Sequence, residues 1–120
     1  MQRDALLVAE MIDAAEAIQT LIGDVGVEAL AADRQRRDAV LWNFTVLGEA
    51  AVQVSPETKA RFPEIQWLQP SRLRNRIVHG YWSIDIAILH TTAADSLPTF
   101  VEQLRAALSA LESHQAPESG

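Results

Sequence analysis

Residues 72–85 read RLRNRIVHGYWSID, and this stretch both predicts the local architecture and concentrates the polar chemistry of the chain. Within it, Leu73, Ile77 and Val78 recur at the spacing of one helical face, which indicates a helix with a buried edge. Three arginines, an asparagine, a histidine and a tyrosine fall inside ten residues of the same stretch. Elsewhere the sequence shows helices with one apolar face, so we look for function here.

Capping signals predict where this helix begins and ends. Ser71 can cap its first turn with the side-chain hydroxyl. Gly80 is expected to end it, because glycine tolerates the left-handed backbone that closes many helices, and His79 is then the last helical residue. Ser83 can cap the helix that follows. The stretch is therefore predicted to form a corner between two helices.

Arg74 and His79 form a combination that suits the cleavage of RNA. Arginine presents a permanently charged, planar fork to phosphate, and histidine can transfer a proton near neutral pH. Without a cluster of metal ligands, this pair suits attack by the 2′-hydroxyl of the RNA itself. His79 would move the proton, Arg74 would stabilise the charged phosphorane, and Asn75 would orient the histidine or contact phosphate. The alternative is a solvated row of arginines beside a histidine that merely ends a helix.

Helix geometry limits how these two side chains can meet. Arg74 and His79 are five positions apart, so on an ideal helix they point about 140° away from each other. They can converge only if the helix ends near His79, or if a second copy of the chain completes the site.

The spacing Arg74-Asn75-x-x-x-His79-x-Tyr81 resembles the R-x4-H-x-Y signature of the HepT-like branch of the HEPN superfamily. Further positions similar to that family extend the resemblance along nearly the whole chain, and they are Leu47-Gly48-Glu49-Ala50-Ala51, Phe62-Pro63-Glu64-Ile65, Trp67 and Asp95-Ser96-Leu97-Pro98.

This resemblance implies a ribonuclease toxin whose catalytic residues are Arg74 and His79, with Asn75 in support. It also implies a helical bundle that forms a homodimer, with two motif corners facing one cleft. The implied partner is a small nucleotidyltransferase antitoxin that transfers AMP to Tyr81. No metal and no cofactor are expected, and Arg76 is assigned a supporting role within the basic patch.

Length and composition set the wider frame. The chain has 120 residues, a formal net charge of −6, 48% hydrophobic residues and no cysteine. We expect a single domain over 1–113 with a flexible tail at 114–120. No apolar run is long enough to cross a membrane, and early acidic residues argue against a signal peptide, so a cytoplasmic protein is expected. The negative charge disfavours a general nucleic-acid binder, although Arg72, Arg74 and Arg76 can still contact a few phosphates.

Apolar periodicity predicts an all-α fold, a bundle of four to five helices that run up and down. The predicted helices lie at about 3–23, 27–32, 34–54, 56–62, 72–79 and 84–113. Pro98 should bend the last of them, because proline lacks a backbone donor. Several apolar stripes are wide for a monomer of this size, so we expect dimerisation through helix faces.

Glu49 allows two interpretations. It shares a helix face with Trp42, Thr45 and Val52, so we expect it to be partly buried, and a buried carboxylate needs a partner. It is either a surface glutamate at the edge of a stripe or a supporting contact to an arginine or the histidine of the motif.

Two other polar groups have less specific interpretations. Arg34, Arg36, Arg37 and Asp38 are interpreted as a solvated first turn rather than a binding site. His90 is interpreted as a histidine on a helix surface or in an interface. Neither group is expected to take part in catalysis.

Three classes of function remain open from the residues themselves. The first is the ribonuclease toxin. The second is a non-catalytic subunit that presents a nucleotide or substrate to a nucleotidyltransferase, which needs the arginines but no proton transfer by histidine. The third is a structural helical dimer in which the motif serves packing alone. Cleavage of RNA by the pure protein in EDTA would favour only the first.

Overall fold

The computed structural model describes residues 2–115, and every regular element within that range is helical, which confirms the predicted all-α fold. The helices are α1 (Gln2–Ile22), α2 (Val27–Ala32), α3 (Arg34–Gln53), α4 (Pro56–Arg61), α5 (Leu68–Gly80), α6 (Ile86–Thr91) and α7 (Leu97–Gln115). A 3₁₀ turn at Tyr81–Ser83 follows α5, and a π turn at Thr92–Ser96 joins α6 to α7. Because α7 continues to Gln115, only 116–120 of the expected tail remain, and they lie outside the described residues.

The long helices α1, α3 and α7, together with α5, build the bundle. α1 packs against both α3 and α7, and α3 packs against α5. The predicted apolar stripe of α1 is buried, as is that of α3, and the fully buried side chains include Met11, Ile18, Phe44, Leu47 and Leu104. α3 is therefore the element that connects the core to the motif helix.

Capping residues set the start of α3 and of α4. The Asp33 carboxylate accepts a hydrogen bond of 3.1 Å from the Arg36 amide at the start of α3. Ser55 accepts one of 3.3 Å from the Thr58 amide, and Pro56 occupies the first turn of α4, where its missing N–H costs nothing.

The capping predictions around the motif were wrong in three places. α5 begins at Leu68, and the Ser71 hydroxyl donates to the Leu68 carbonyl instead of capping the helix. α5 does end at Gly80, one residue later than predicted, but Gly80 has a φ of −152°, so the helix ends without the expected left-handed residue. Asp85, which accepts from the Ala87 amide, caps α6, because a carboxylate at that position reaches the free N–H that Ser83 does not reach.

The predicted last helix is interrupted before Pro98. The π turn Thr92–Ser96 separates α6 from α7, and α7 begins one residue before the proline. Proline removes a backbone donor and crowds the preceding turn, and a wider turn accommodates both effects. The predicted irregularity is thus present as a π turn.

No helix among residues 2–115 combines the length and the apolar character that crossing a bilayer would need.

Gly48 sets the distance between α3 and α5. A Cβ at this position would overlap the Arg74 Cβ and the Pro70 carbonyl oxygen, both on α5. The helices therefore approach backbone to backbone, and only a residue without a side chain permits this. The first functional side chain of the motif, Arg74, lies at this closest approach.

We expect Gly48→Ala to destabilise the protein by about 1–3 kcal/mol, because the added methyl group must push α5 away from α3. Gly26→Ala is the matched control, since no heavy atom lies within 4 Å of a Cβ at Gly26. Chemical denaturation of the two variants measures the difference. Equal unfolding free energies would contradict the assigned role of Gly48.

Candidate active site

Two polar contacts connect α3 to the motif and define a seam between them. Arg74 Nη2 lies 3.0 Å from Glu49 Oε2, and the Tyr81 hydroxyl donates a hydrogen bond to the Asp38 carboxylate. Arg74 precedes Tyr81 in the chain, whereas its partner Glu49 follows Asp38, so the two segments run antiparallel. The seam thus has an arginine end and a tyrosine end.

At the arginine end, the guanidinium of Arg74 is held from two sides. Besides the Glu49 contact, its Nη1 donates a hydrogen bond of 2.8 Å to Asn75 Oδ1. Its Nε is buried and makes no hydrogen bond within the described part of the chain. A buried donor without a partner is uncommon, and because Nε is enclosed, an incoming acceptor would have to approach the Nη atoms instead.

Of the two interpretations of Glu49, the structure supports the contact to an arginine, which is Arg74. The side chain is 52% exposed, however, so the expectation of partial burial was wrong. An ion pair this exposed contributes little to stability, and its main effect is to orient the Arg74 fork.

His79 lies near the C-terminal end of α5 with its side chain exposed. α5 continues through Gly80, so the helix does not end in a way that turns His79 toward Arg74. The two residues keep a separation of about 140° around the helix axis. Asn75, one turn before His79, shares its face and is the motif residue that contacts Arg74. One chain therefore assembles Glu49, Arg74 and Asn75, and leaves His79 on an open face.

The three arginines of the motif do not form one patch. Arg74 lines a cavity of about 440 Å³ between α1 and α3, together with Glu49 and Trp42. Arg72 and Arg76 instead line a separate cavity of about 760 Å³, together with residues of α3 and α7. Arg76, which we expected to support catalysis, therefore lies away from the Arg74 contacts.

Large apolar side chains are exposed on α1 and α3, the two helices that line most of the Arg74 cavity. Trp42 on α3 is 66% exposed, and Leu6 on α1, next to the lining residue Leu7, is 67% exposed. Val52, on the same α3 face as Trp42, is also exposed. Large exposed apolar side chains around a polar cavity are typical of a surface that contacts another macromolecule.

At the tyrosine end, Tyr81 is held by a group that the sequence did not single out. The Asp38 carboxylate accepts the hydroxyl hydrogen bond and raises the pKa of Tyr81 above its usual value of 10. Partial burial and the negative charge of Asp38 act in the same direction, and the positive charges of Arg37 and Arg34 oppose them. The hydroxyl of Tyr81 thus contacts α3.

Helical spacing was the signal that could have found Asp38. Asp38, Trp42, Thr45 and Glu49 recur at intervals of four and three along α3, so they share one face. If Glu49 contacts the motif, Asp38 must face it as well. The interpretation of this turn as solvated was therefore incomplete.

Other titratable groups lie outside this seam. His90 is half-buried, with its Nε2 2.6 Å from the Val25 carbonyl oxygen, so it connects α6 to the loop before α2. Across residues 2–115, no three histidine, aspartate or glutamate side chains are grouped in a way that could hold a metal ion.

The chain matches known proteins along most of its length. A family model described as Ribonuclease HepT-like matches residues 11–107. A protein of Thermococcus cleftensis named as a probable ribonuclease HepT is 26% identical over 90 residues, which cover 75% of this chain and 82% of the relative.

Two proteins of Methanocaldococcus jannaschii, both named as candidate RNases, are also similar. One is 22% identical over 89 residues, which cover 74% of each chain, and the other is 21% identical over 95 residues, which cover 79% of this chain and 87% of the relative. These matches confirm the resemblance drawn from the motif. No solved structure matches the chain significantly.

Because the chain has one tyrosine, its ionisation can be followed directly by phenolate absorbance. We expect the folded protein to titrate above pH 10 and Asp38→Asn to titrate at a lower pH, since the variant loses the negative charge that opposes ionisation. In urea both proteins should titrate near 10. Identical midpoints for the two folded proteins would contradict the Tyr81–Asp38 contact.

The raised pKa of Tyr81 also determines how the stability of the protein depends on pH. The folded pKa of Tyr81 lies above the unfolded value of about 10. The contact therefore contributes its full stabilisation below pH 10 and loses it as the pH rises through the folded pKa. Asp38→Asn should not show this loss of stability at alkaline pH.

Proposed function

The chain belongs to the HepT-like ribonuclease family, and on that premise we propose that it is a metal-independent endoribonuclease, the toxin of a toxin–antitoxin pair, which cuts RNA with Arg74 and His79. The observation that carries this proposal is the fixed guanidinium of Arg74. Glu49 and Asn75 hold the fork in one orientation. We place the reaction in the cytoplasm, where the RNA substrate is found.

The chemistry follows from the two side chains. His79 takes the proton of the 2′-hydroxyl as its oxygen attacks the adjacent phosphorus. The bond to the 5′-oxygen breaks, the 5′-oxygen takes up a proton from the protonated His79 or from water, and the products are a 2′,3′-cyclic phosphate and a 5′-hydroxyl. Arg74 bonds to the phosphorane oxygens, whose negative charge increases in the transition state. Glu49 reduces the net charge of the site, so substrate phosphate must compete with its carboxylate for Nη2.

We propose that a second copy of the chain completes the site. The continuous helix α5 directs Arg74 and His79 apart within one chain, so His79 of a partner has to approach the Arg74 cavity. The exposed apolar side chains of Leu6, Trp42 and Val52 beside that cavity would be covered in such a dimer. The homodimer then has two equivalent sites.

We also propose that a minimal nucleotidyltransferase antitoxin controls the enzyme by transferring AMP to Tyr81. The hydroxyl is accessible, since the side chain is 45% exposed. An added phosphodiester is bulky and anionic, and it lies on the motif only two residues beyond His79. RNA phosphate would be repelled from the site.

We expect the pure protein to cut RNA in EDTA, and His79→Ala to slow cleavage by about 10²–10⁴-fold, the usual contribution of general acid–base catalysis. His90→Gln is the control, because it changes a histidine outside the seam. Cleavage by His79→Ala at near wild-type rate would overturn the catalytic assignment.

Arg74→Lys should also fail, because lysine keeps the charge but loses the planar fork that Glu49 and Asn75 orient. Arg61→Lys, an exposed change on α4, is the matched control. Both variants should melt close to wild type, which separates a lost site from a lost fold. Full activity of Arg74→Lys would show that charge alone is needed.

Mixing two inactive variants tests the shared site. After subunit exchange, Arg74→Ala and His79→Ala should recover about a quarter of the wild-type rate, because half of the dimers carry one intact site of two. A mixture of Arg74→Ala with the double variant should stay inactive. No recovery in the first mixture, with exchange verified by mass, would place both residues of a site in one chain.

Intact mass tests the control by AMP. With the nucleotidyltransferase, ATP and magnesium, the wild type should gain one or more units of roughly 330 Da, and Tyr81→Phe should gain none. Tyr81→Phe should still cut RNA, because its ring is retained and Arg74 and His79 are unchanged. Modification that persists in Tyr81→Phe would place the acceptor elsewhere.

A further inference from the structure

The hydroxyl of Tyr81 points at a small charged cluster on the first turns of α3. It donates its hydrogen bond to Asp38, whose other charged neighbours are two arginines. Arg34 Nε lies 3.7 Å from Asp38 Oδ2, and Arg37 Nε lies 4.0 Å from Asp38 Oδ1. Arg34 is strongly exposed, so one side of the cluster is open to solvent.

The proposed RNA chemistry does not use this cluster. Arg74 and its partners occupy the other end of the seam, three helical turns of α3 away from Asp38. A contact made only for packing would not need a carboxylate and two guanidinium groups around one phenol. The cluster is therefore suited to a reaction of the phenol itself.

The contact favours the neutral phenol rather than phenolate. Tyr81 is therefore not activated by ionisation in advance, and it remains a weak nucleophile until a base removes its proton during attack. A carboxylate that already accepts the hydroxyl proton has the geometry for this role, as in kinases whose catalytic aspartate accepts the proton of a substrate hydroxyl.

We propose that Asp38 is the general base for AMP transfer to Tyr81, and that Arg34 and Arg37 bind the phosphates of the incoming nucleoside triphosphate. This rests on the proposed control of the enzyme by a nucleotidyltransferase, which supplies ATP and its metal ion. The base would thus lie in the acceptor chain itself, on α3.

The step balances as follows in atoms and charge. The Tyr81 oxygen forms a bond to the α-phosphorus of ATP, the bridging bond between that phosphorus and the β-phosphate oxygen breaks, and pyrophosphate leaves. The phenolic proton passes to the Asp38 carboxylate and from there to water.

After transfer, the tyrosine oxygen has no proton to donate, so the hydrogen bond to Asp38 is lost. The new phosphodiester is anionic and is repelled by that carboxylate. Arg34 and Arg37 can then exchange Asp38 for the phosphodiester oxygens, since a guanidinium pairs well with either group. The same arginines would thus serve the incoming nucleotide and the modified side chain.

The test measures the initial rate of AMP addition by intact mass, with the full chain, the nucleotidyltransferase, ATP and magnesium. Asp38→Asn should slow addition by about 10²-fold at neutral pH, because the amide accepts a hydrogen bond but not a proton. Asp24→Asn is the control, since it makes the same change of charge at an exposed turn. Thermal melting verifies that both variants fold.

A pH series separates a base from a residue that only holds the ring. The charged groups that act on the hydroxyl are Asp38, Arg34 and Arg37, all on α3. If Asp38 is the base, hydroxide should increasingly take over the removal of the proton in Asp38→Asn as the pH rises. The difference in the rate of AMP addition between the wild type and this variant should therefore narrow toward pH 10. A difference in rate that stays constant with pH would overturn the assignment of Asp38 as the base.

The remaining outcomes are also decisive. Equal rates for Asp38→Asn and wild type would overturn this inference while leaving AMP transfer to Tyr81 intact. A wild type that gains no AMP at all would overturn both the inference and the proposed control, but not RNA cleavage. Replacing both arginines, Arg34→Ala with Arg37→Ala, should raise KM for ATP more than it lowers kcat, and an unchanged KM would remove their assigned role.

Discussion

The close approach of α3 to α5 at Gly48 is the constraint on which the candidate site depends. Because position 48 carries no side chain, the Arg74 Cβ lies directly against the α3 backbone. The next residue on α3, Glu49, is then within reach of the same guanidinium. The close contact of the two helix backbones thus brings Glu49 within reach of Arg74. Packing positions the arginine side chain, and the electrostatic attraction to Glu49 adds to its orientation.

Electrostatic energy alone would not hold this site. Glu49 is about half exposed, and exposed ion pairs contribute roughly 0–1 kcal/mol because solvent screens them. The main effect of the ion pair is to orient Arg74, since Glu49 and Asn75 together hold its guanidinium in one arrangement. In the proposed reaction, this orientation would present the fork to substrate phosphate once the phosphate has displaced Glu49 from Nη2.

Periodicity and capping predicted most of the helices but not the contacts between them. Asp33 and Pro56 mark helix starts because their effects are local, and local effects are readable from sequence. Asp4 shows the limit. It is 3% exposed and accepts hydrogen bonds from Ser55 and Thr58, more than fifty positions away, and no local pattern indicates this. For Asp38, helical spacing indicates the face that it shares with Glu49, but its partner Tyr81 is distant in sequence and is not indicated by that spacing.

The proposed modification of Tyr81 can act on the neighbouring His79 without a conformational change. α5 and the 3₁₀ turn are continuous from Arg74 to Tyr81, and α3 provides a rigid partner along the same length. A charge added at Tyr81 therefore stays beside His79 and on the α3 face that leads to Glu49. Substrate phosphate meets this field wherever it approaches within a Debye length of about 8 Å at physiological salt. Inhibition by repulsion and bulk is then sufficient, and no second state of the bundle has to exist for the proposed control to work.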